Sequence, residues 1–232
     1  MARASRDPEA RRVERCPECG GELIDLGICL YCPEHGAFTD NLERMEVDEN
    51  LKALIEASMD SLAVYKAFAS RLKPMLEEKA GLLIKRSKWD VHIGEGPSGF
   101  EIHASRVGIS TTRPGLWGVP MLFYLYTAWV PMPVALEMLK TLQDEVFKGY
   151  GRQENAANLV ILFAPAIEEE VARYCAQQKT CKRLAQQGLN QIGFVVVGPD
   201  GRVISEVSGR LRGYVKHHFP EAYKLLSEMG MG

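Results

Sequence analysis

Two Cys-x-x-Cys pairs near the start of the 232-residue chain carry the strongest chemical signal in the sequence. The first pair is Cys16 and Cys19, and the second is Cys29 and Cys32. Each pair can sit on a tight turn that points two sulfurs at one place, and four thiolates give Zn²⁺ a closed tetrahedral shell. The spacing therefore predicts a structural zinc site made of these four cysteines, with no open position for catalysis.

His35 follows Cys32 by three residues and could replace one thiolate. Because four cysteines already fill the shell, we expect His35 beside the ligands or at the surface. A redox pair or an iron site is a weaker alternative. The module resembles the zinc ribbons of nucleic-acid enzymes and adaptor proteins. This resemblance implies a metal-stabilised module that binds DNA, RNA or protein, and it leaves the ligand open.

A second group of chemistry-bearing residues lies in "KWDVHIGEGPSGFEIHASRVGIST", which alternates apolar and polar residues as half-buried strands do. A turn at "GPSG" would place His92 opposite His103 in a hairpin. One face would then be polar (Asp90, His92, Glu101, His103, Ser105), and the other apolar (Val91, Ile93, Ile102, Ala104).

The polar face of this hairpin has three interpretations. His92, Glu101 and His103 could bind a second metal ion and make the protein a metal-dependent enzyme. A solvated sheet face is the ordinary alternative. The order Asp90, Glu101-x-His103 is also similar to the nuclease pattern Asp…Glu-x-Lys, but the lysine is missing, which weakens that interpretation.

The elements that must position these residues begin with an amphipathic helix. From Asn50 onward, apolar residues recur at helical spacing over residues 50–73, and Pro74 should break or kink the helix. The helix could pack on the next domain. A homodimer through the 50–73 helix is the alternative, because the spacing is close to a heptad repeat.

The stretch 114–136 carries no charged residue and is long enough to cross a bilayer. Four prolines and the β-rich run "MLFYLYTAW" argue instead for a strand buried on both faces. Pro133 suits the first turn of a following helix, which Gly149 can end. We therefore expect no membrane span.

The order of elements after residue 119 resembles a thioredoxin domain. We predict a strand "NLVILFA", a helix from "AIEEEV", a strand "GFVVV", a turn "GPDG", a strand "RVISEVS" and a last helix, with the terminal hairpin antiparallel. "YTAWVPMPVALEML" looks like the active-site turn of thiol:disulfide interchange proteins of the disulfide isomerase type. The resemblance covers about residues 119–229.

The sequence departs from that family at the residues that do its chemistry. Val130 and Pro133 stand where the family has cysteines, with Pro131 and Met132 between them, and Gly193 stands near its cis-proline. Disulfide exchange needs thiolates, so the resemblance implies a scaffold without redox activity and a binding groove near Trp129. Cys175 and Cys181 should be buried or partly buried thiols.

The whole chain combines these elements in one α/β protein. We expect a zinc ribbon with a basic tail over residues 1–40, a helical connector over 41–80 and a thioredoxin-like domain over 81–232. The formal net charge is -2, and the Arg-rich N-terminus lacks the apolar core of a signal peptide, so a cytoplasmic location is the default.

The function expected from the sequence is a non-catalytic protein-interaction or assembly role with structural Zn²⁺ and a protein partner. The alternative is a nucleic-acid-associated protein that uses the ribbon, the Arg-rich head and the basic segment "RLRGYVKHH". The metal-dependent enzyme stays as the third hypothesis.

Overall fold

The computed structural model describes residues 14–78, 90–94, 101–109, 120–149, 156–176 and 190–231. It divides the chain into two compact units, Met1–Lys52 and Ala53–Gly232. The predicted mixed α/β class is confirmed. The observed boundary differs from those expected after residues 40 and 80, because the connecting helix packs mostly on the second unit.

The first unit contains a three-stranded antiparallel sheet of very short strands. They are β1 (Ile24–Asp25), β2 (Leu30–Cys32) and β3 (Gly36–Phe38). Its small core consists of Cys16, Leu23, Leu30, Cys32 and Phe38. A core of this size gives little hydrophobic stabilisation.

Helix α1 (Glu49–Glu78) confirms the predicted amphipathic helix and continues through Pro74. Asp48 caps it, because its Oδ1 accepts a hydrogen bond from the Leu51 N–H at 2.7 Å. The buried stripe consists of Ile55, Ser58, Ser61, Leu62, Tyr65, Phe68, Leu72 and Leu76.

This stripe packs on the chain's own sheet. The rings of Tyr65 and Phe68 lie 5.3 and 5.0 Å from that of Phe163. The helix face that could have formed a dimer interface is thus covered by the sheet of the same chain. This agrees with the interpretation that the helix packs on the next domain.

The second unit is built on a five-stranded mixed sheet whose strand order follows the chain. The strands are β4 (Asp90–Gly94), β5 (Glu101–Ile109), β6 (Pro120–Trp129), β7 (Ala156–Phe163) and β8 (Asn190–Val197). β4, β5 and β6 pair antiparallel, and β6, β7 and β8 pair parallel. β7 is buried along its whole length, as its continuous apolar run predicts.

Helices cover both faces of this sheet. On one face, α2 (Leu136–Gly149) and α3 (Glu169–Ala176) pack on Val160, Leu162 and Phe194. On the other lie α1, α4 (Gly209–His218) and α5 (Pro220–Leu226), which a short turn, Ser227–Met231, follows. The Tyr214 hydroxyl of α4 donates to the Asn158 carbonyl oxygen of β7 at 2.9 Å.

The hairpin predicted after β8 forms in part. The sequence predicted that β8 would form an antiparallel hairpin with "RVISEVS". An isolated antiparallel bridge joins Val197 to Val203 beyond the predicted turn, and the Ile204 N–H donates to the Val196 carbonyl at 2.9 Å. The antiparallel direction is therefore confirmed, but "RVISEVS" does not form a full strand, and the family resemblance as a whole stays a prediction.

The apolar stretch that raised the question of a membrane contains β6 and the start of α2. Within the described residues, no helix is both long enough and apolar enough to cross a bilayer.

Candidate metal centre

Two tight loops of the first unit present the candidate metal ligands. In the first, the Cys16 N–H donates to the Gly21 carbonyl and the Gly20 N–H donates to the Cys16 carbonyl, both at 2.8 Å. The second closes the β2–β3 hairpin, where Cys32 pairs with Gly36. Gly20 and Gly36 have φ angles of 72° and 85°, the left-handed conformation that glycine adopts without strain.

These loops bring together Cys16, Cys19, Cys32 and His35, whose ligand atoms all lie within 4.8 Å of one another. The Sγ atoms of Cys19 and Cys32 are 3.7 Å apart. Nδ1 of His35 lies 3.7 Å from Cys16 Sγ and 3.6 Å from Cys32 Sγ.

The separations match a tetrahedral metal site. Bonds of about 2.3 Å to sulfur and about 2.05 Å to nitrogen require S–S distances of about 3.8 Å and S–N distances of about 3.6 Å. The three sulfurs and the imidazole nitrogen thus lie close enough together to hold one ion.

Cys29 lies outside this cluster. The predicted set of four cysteines is therefore corrected, because Cys29 does not lie with the other three. Cys29 is buried beside the β1–β2 turn, where its carbonyl accepts a hydrogen bond from the Leu26 N–H at 3.0 Å. Burial raises the pKa of its thiol, and the negative charge of Asp25 raises it further. His35, expected beside the ligands or at the surface, is instead the fourth member of the cluster.

A signal for this ligand set is present in the sequence. Residues 16–20 read "CPECG" and residues 32–36 read "CPEHG", so the two loops are near-repeats with His35 in place of Cys19. A search for Cys-x-x-Cys pairs misses this repeat, because Cys29 and Cys32 also form such a pair in the sequence although Cys29 is not in the cluster.

Glu18 of the first loop faces His35 of the second. Its Oε2 lies 3.7 Å from His35 Nε2, within ion-pair range but longer than a hydrogen bond. A carboxylate there favours the tautomer with its proton on Nε2, which leaves Nδ1 available to a metal. The second oxygen of Glu18 lies 3.8 Å from Arg44.

Two thiols of the cluster differ in acidity. Burial opposes ionisation of Cys16, but hydrogen bonds from the Cys19 and Glu18 backbone and from the Cys32 and Cys19 thiols together lower its pKa to about 7. For Cys19, a hydrogen bond from Gly21 favours the thiolate, yet burial and the neighbouring cysteines outweigh it and raise the pKa to about 11. The Cys16 thiol therefore ionises more readily than the Cys19 thiol.

The β4–β5 hairpin has the predicted register. His92 pairs with His103 and Asp90 with Ser105. Ile102 and Ala104 are buried, as expected for the apolar face. On the polar face, Glu101 is largely buried rather than solvated.

The turn after β6 is a strand–helix junction, as predicted. The Trp129 side chain is buried under α1, and its N–H donates to Ser61 Oγ at 3.0 Å and to the Ser58 carbonyl at 3.2 Å. Gly193 lies in β8 beneath Leu211 of α4. The partly exposed turn residues are Val130, Pro131, Met132 and Pro133.

A carboxylate lies at the start of α2. Glu168 Oε2 accepts a hydrogen bond from the Leu136 N–H at 3.1 Å. Cys175 is buried in the core between α3 and the sheet, as predicted. Cys181 lies outside the described residues.

No protein-family model, curated protein or solved structure was found to match the chain.

Proposed function

We propose that this protein is a non-catalytic interaction or assembly protein of the cytoplasm, in which a Zn²⁺-stabilised ribbon presents a binding surface for another protein. The observation that carries the proposal is the closed ligand set of three cysteines and one histidine. Four protein donors leave a tetrahedral ion no position for a substrate, so the metal has a structural role. Three soft sulfur donors favour Zn²⁺ among the common divalent ions.

The charge of the ribbon supports a protein partner over nucleic acid. Residues 14–52 contain ten acidic and three basic residues, a net charge of -7. Such a surface repels phosphates and attracts basic protein surfaces. The basic residues Arg210 and Lys216 are exposed on α4, but they belong to the other unit.

The α2 turn supports a non-catalytic role for the second unit. Val130 and Pro133 cannot act as nucleophiles. At the start of α2, the Leu136 N–H donates a hydrogen bond to the Glu168 carboxylate. If the thioredoxin resemblance holds, this unit keeps the scaffold without the exchange reaction.

The experiment compares three immobilised full-length proteins: wild type, Cys32→Ser and Cys29→Ser. Each is incubated with nuclease-treated lysate of the native host, and the captured protein is identified, purified and titrated directly. Cys32→Ser removes a ligand, whereas Cys29→Ser changes a neighbouring cysteine outside the cluster.

The proposal expects one protein that binds wild type and Cys29→Ser, fails to bind Cys32→Ser, and binds more weakly as salt is added. Equal binding to all three proteins would contradict it. Capture that appears only when the nuclease treatment is omitted would support the nucleic-acid alternative. Disulfide isomerase activity that survives replacement of Cys175 and Cys181 would contradict the non-catalytic role.

A further inference from the structure

Cys19 is the accessible thiol of the metal cluster. Of the five cysteines that the structure describes, Cys19 is exposed and the other four are buried. Cys16 and Cys32, the other two sulfur members of the cluster, are each only 2% exposed. Since oxidation of a cysteine by a small oxidant requires access to its sulfur, the oxidant can reach Cys19 and not its two neighbours.

The sulfur of Cys32 lies in contact with that of Cys19. The two Sγ atoms are 3.7 Å apart, so a movement of less than about 2 Å brings them to the disulfide bond length of about 2.05 Å. Gly20, with a φ angle of 72°, follows Cys19 directly and gives the loop backbone freedom for this movement. Cys32 can therefore react with an oxidised Cys19, although Cys32 itself is shielded from solvent.

A bound ion supplies the reactive form of both sulfurs. The thiolate, and not the thiol, attacks oxidants, and a cysteine that ligates a metal is deprotonated. This matters for Cys19, because its pKa is raised in the free cluster. A disulfide between Cys19 and Cys32 would leave only Cys16 and His35 as donors, so the ion would leave the site.

Release of the ion would also loosen the ribbon. Cys16 and Cys32 belong to its small apolar core. Cys16 and Cys19 lie in one loop, and Cys32 and His35 lie in the β2–β3 hairpin, so loss of the shared ion removes a link between these two parts. The surface that the ribbon presents to a partner thus depends on the oxidation state of two cysteines.

We propose that Cys19 and Cys32 form a peroxide-sensitive switch, in which their oxidation to a disulfide releases the ion and ends binding of the protein partner. The loss of partner binding rests on the interaction function proposed above. The reaction of the sulfur pair does not.

The reaction takes two electrons from the two sulfurs and gives them to hydrogen peroxide. The Cys19 thiolate attacks one peroxide oxygen, so that an S–O bond forms, the O–O bond breaks and one hydroxide leaves. The Cys32 thiolate then attacks the sulfur of this sulfenic acid, so that the S–S bond forms, the S–O bond breaks and a second hydroxide leaves. Both hydroxides take a proton from solvent and become water. A dithiol reductant returns both cysteines to the thiol form.

The test titrates hydrogen peroxide into the zinc-loaded full chain while a chromophoric indicator measures free Zn²⁺. Wild type should release its ribbon ion, and mass spectrometry should locate a new disulfide between Cys19 and Cys32. Dithiothreitol followed by Zn²⁺ should restore the site. A wild-type site that keeps its ion, or a disulfide within either Cys-x-x-Cys pair instead, would overturn the proposal.

Two variants test the roles of single cysteines. Cys19→His changes the first loop from "CPECG" to the "CPEHG" of the second, so an imidazole replaces the exposed thiolate as a ligand. Its zinc release should be at least about tenfold slower at the same peroxide concentration, because the accessible sulfur is gone. Cys29→Ser changes a cysteine outside the cluster and should release its ion as wild type does. Equal rates in wild type and Cys19→His would contradict the role of Cys19.

Capture of the partner separates this switch from the interaction function. Three samples of wild type are compared: reduced, treated with peroxide, and treated with peroxide followed by dithiothreitol and Zn²⁺. The switch expects capture by the first and third samples only. Equal capture by oxidised protein that has lost its ion would overturn the regulatory step. If the reduced sample captures no protein, the interaction function fails, and the zinc-release and disulfide measurements still decide the reaction of the sulfur pair.

Discussion

At the scale of single residues, the choice between Cys29 and His35 as the fourth ligand gives the most direct test of the ribbon. Cys29→Ser should leave one tightly bound Zn²⁺ per ribbon, because Cys29 lies outside the ligand cluster. His35→Ala should lose the ion or bind it much more weakly, since an imidazole ligand is removed. Native mass spectrometry measures both. A protein that loses its ribbon zinc with Cys29→Ser would restore the four-cysteine set.

Glu18 should act on metal affinity through His35. Glu18→Gln removes the carboxylate that faces His35 Nε2, so the affinity for Zn²⁺ should fall by about 10–100-fold. Competition with a chromophoric chelator measures the change. Glu34 is the matched control, because it holds the equivalent place in "CPEHG" and is exposed. Equal losses for Glu18→Gln and Glu34→Gln would show that surface charge, not orientation of His35, sets the affinity.

Tyr65 should make stability fall at high pH. Burial, with a contribution from the Glu101 charge, raises its pKa to about 12, above the value of about 10 for an exposed tyrosine. The folded state therefore holds the proton more tightly. The resulting stability is fully present below pH 10 and is lost as the pH rises towards 12, by up to about 3 kcal/mol.

Urea unfolding of wild type and Tyr65→Phe between pH 8 and pH 11.5 separates this contribution from other groups. The wild-type free energy of unfolding should fall more steeply than that of the variant. If the free energies of unfolding of wild type and variant fell equally with pH, the pKa of Tyr65 would be the same in the folded and unfolded states.

The residues that could be predicted from the sequence are those whose neighbours along the chain determine their surroundings. The His92–His103 pair follows from the position of one turn and the two-residue period of strands. The role of Cys29 does not follow from its spacing, because the β1–β2 turn places it beside the cluster rather than in it. Glu101 was placed on the polar face, with a solvated face as the ordinary alternative, and its burial beside Ala128 of β6 depends on a strand pairing distant in sequence.

At the scale of elements, the packing of α4 on β8 leaves no room for a side chain at Gly193. A Cβ there would lie 2.8 Å from Leu211 Cδ1 and 3.3 Å from Tyr214 Cε1. Gly193→Ala should therefore destabilise the α/β unit by about 1–3 kcal/mol. The midpoint of urea unfolding measures the change.

Gly213 of α4 provides the matched control for this prediction. No atom lies within 4 Å of a Cβ built at Gly213, and the residue is exposed. Gly213→Ala should stabilise the helix by up to about 1 kcal/mol. If both substitutions shift stability in the same direction, contact with α4 does not explain the glycine in β8.

Strands and helices were predicted well where their pattern was strong, as for β7 and α1. The strand "RVISEVS" after β8 was predicted at full length, but only an isolated antiparallel bridge forms there, and the Val196 N–H donates to the Ser205 side chain. The residues of helix α4 were interpreted from the sequence as a basic segment and not as a helix. It buries only Leu211 and Val215, so its apolar stripe is too short to be recognised.

At the scale of the whole molecule, removal of the metal should unfold the ribbon and leave the α/β unit folded. Chelation should abolish hydrogen-exchange protection in residues 14–45, because that unit has only a small apolar core. Protection in β7 and β8 should remain, since these strands lie in the larger core. Exchange measured by mass spectrometry with and without chelator tests this. Simultaneous loss of protection in β7 would show that the α/β unit needs the ribbon metal to stay folded.

The acidic ribbon also makes the distribution of charge along the chain strongly asymmetric. Residues 53–232 contain 21 basic and 18 acidic residues, a net charge of +3, against -7 for residues 14–52. The net charge of -2 hides this asymmetry. At low salt, the acidic ribbon of one copy can therefore attract the basic α/β unit of a second copy. Dilution into low-salt buffer should promote reversible clustering, and moderate salt should disperse it, which is the opposite of simple salting out.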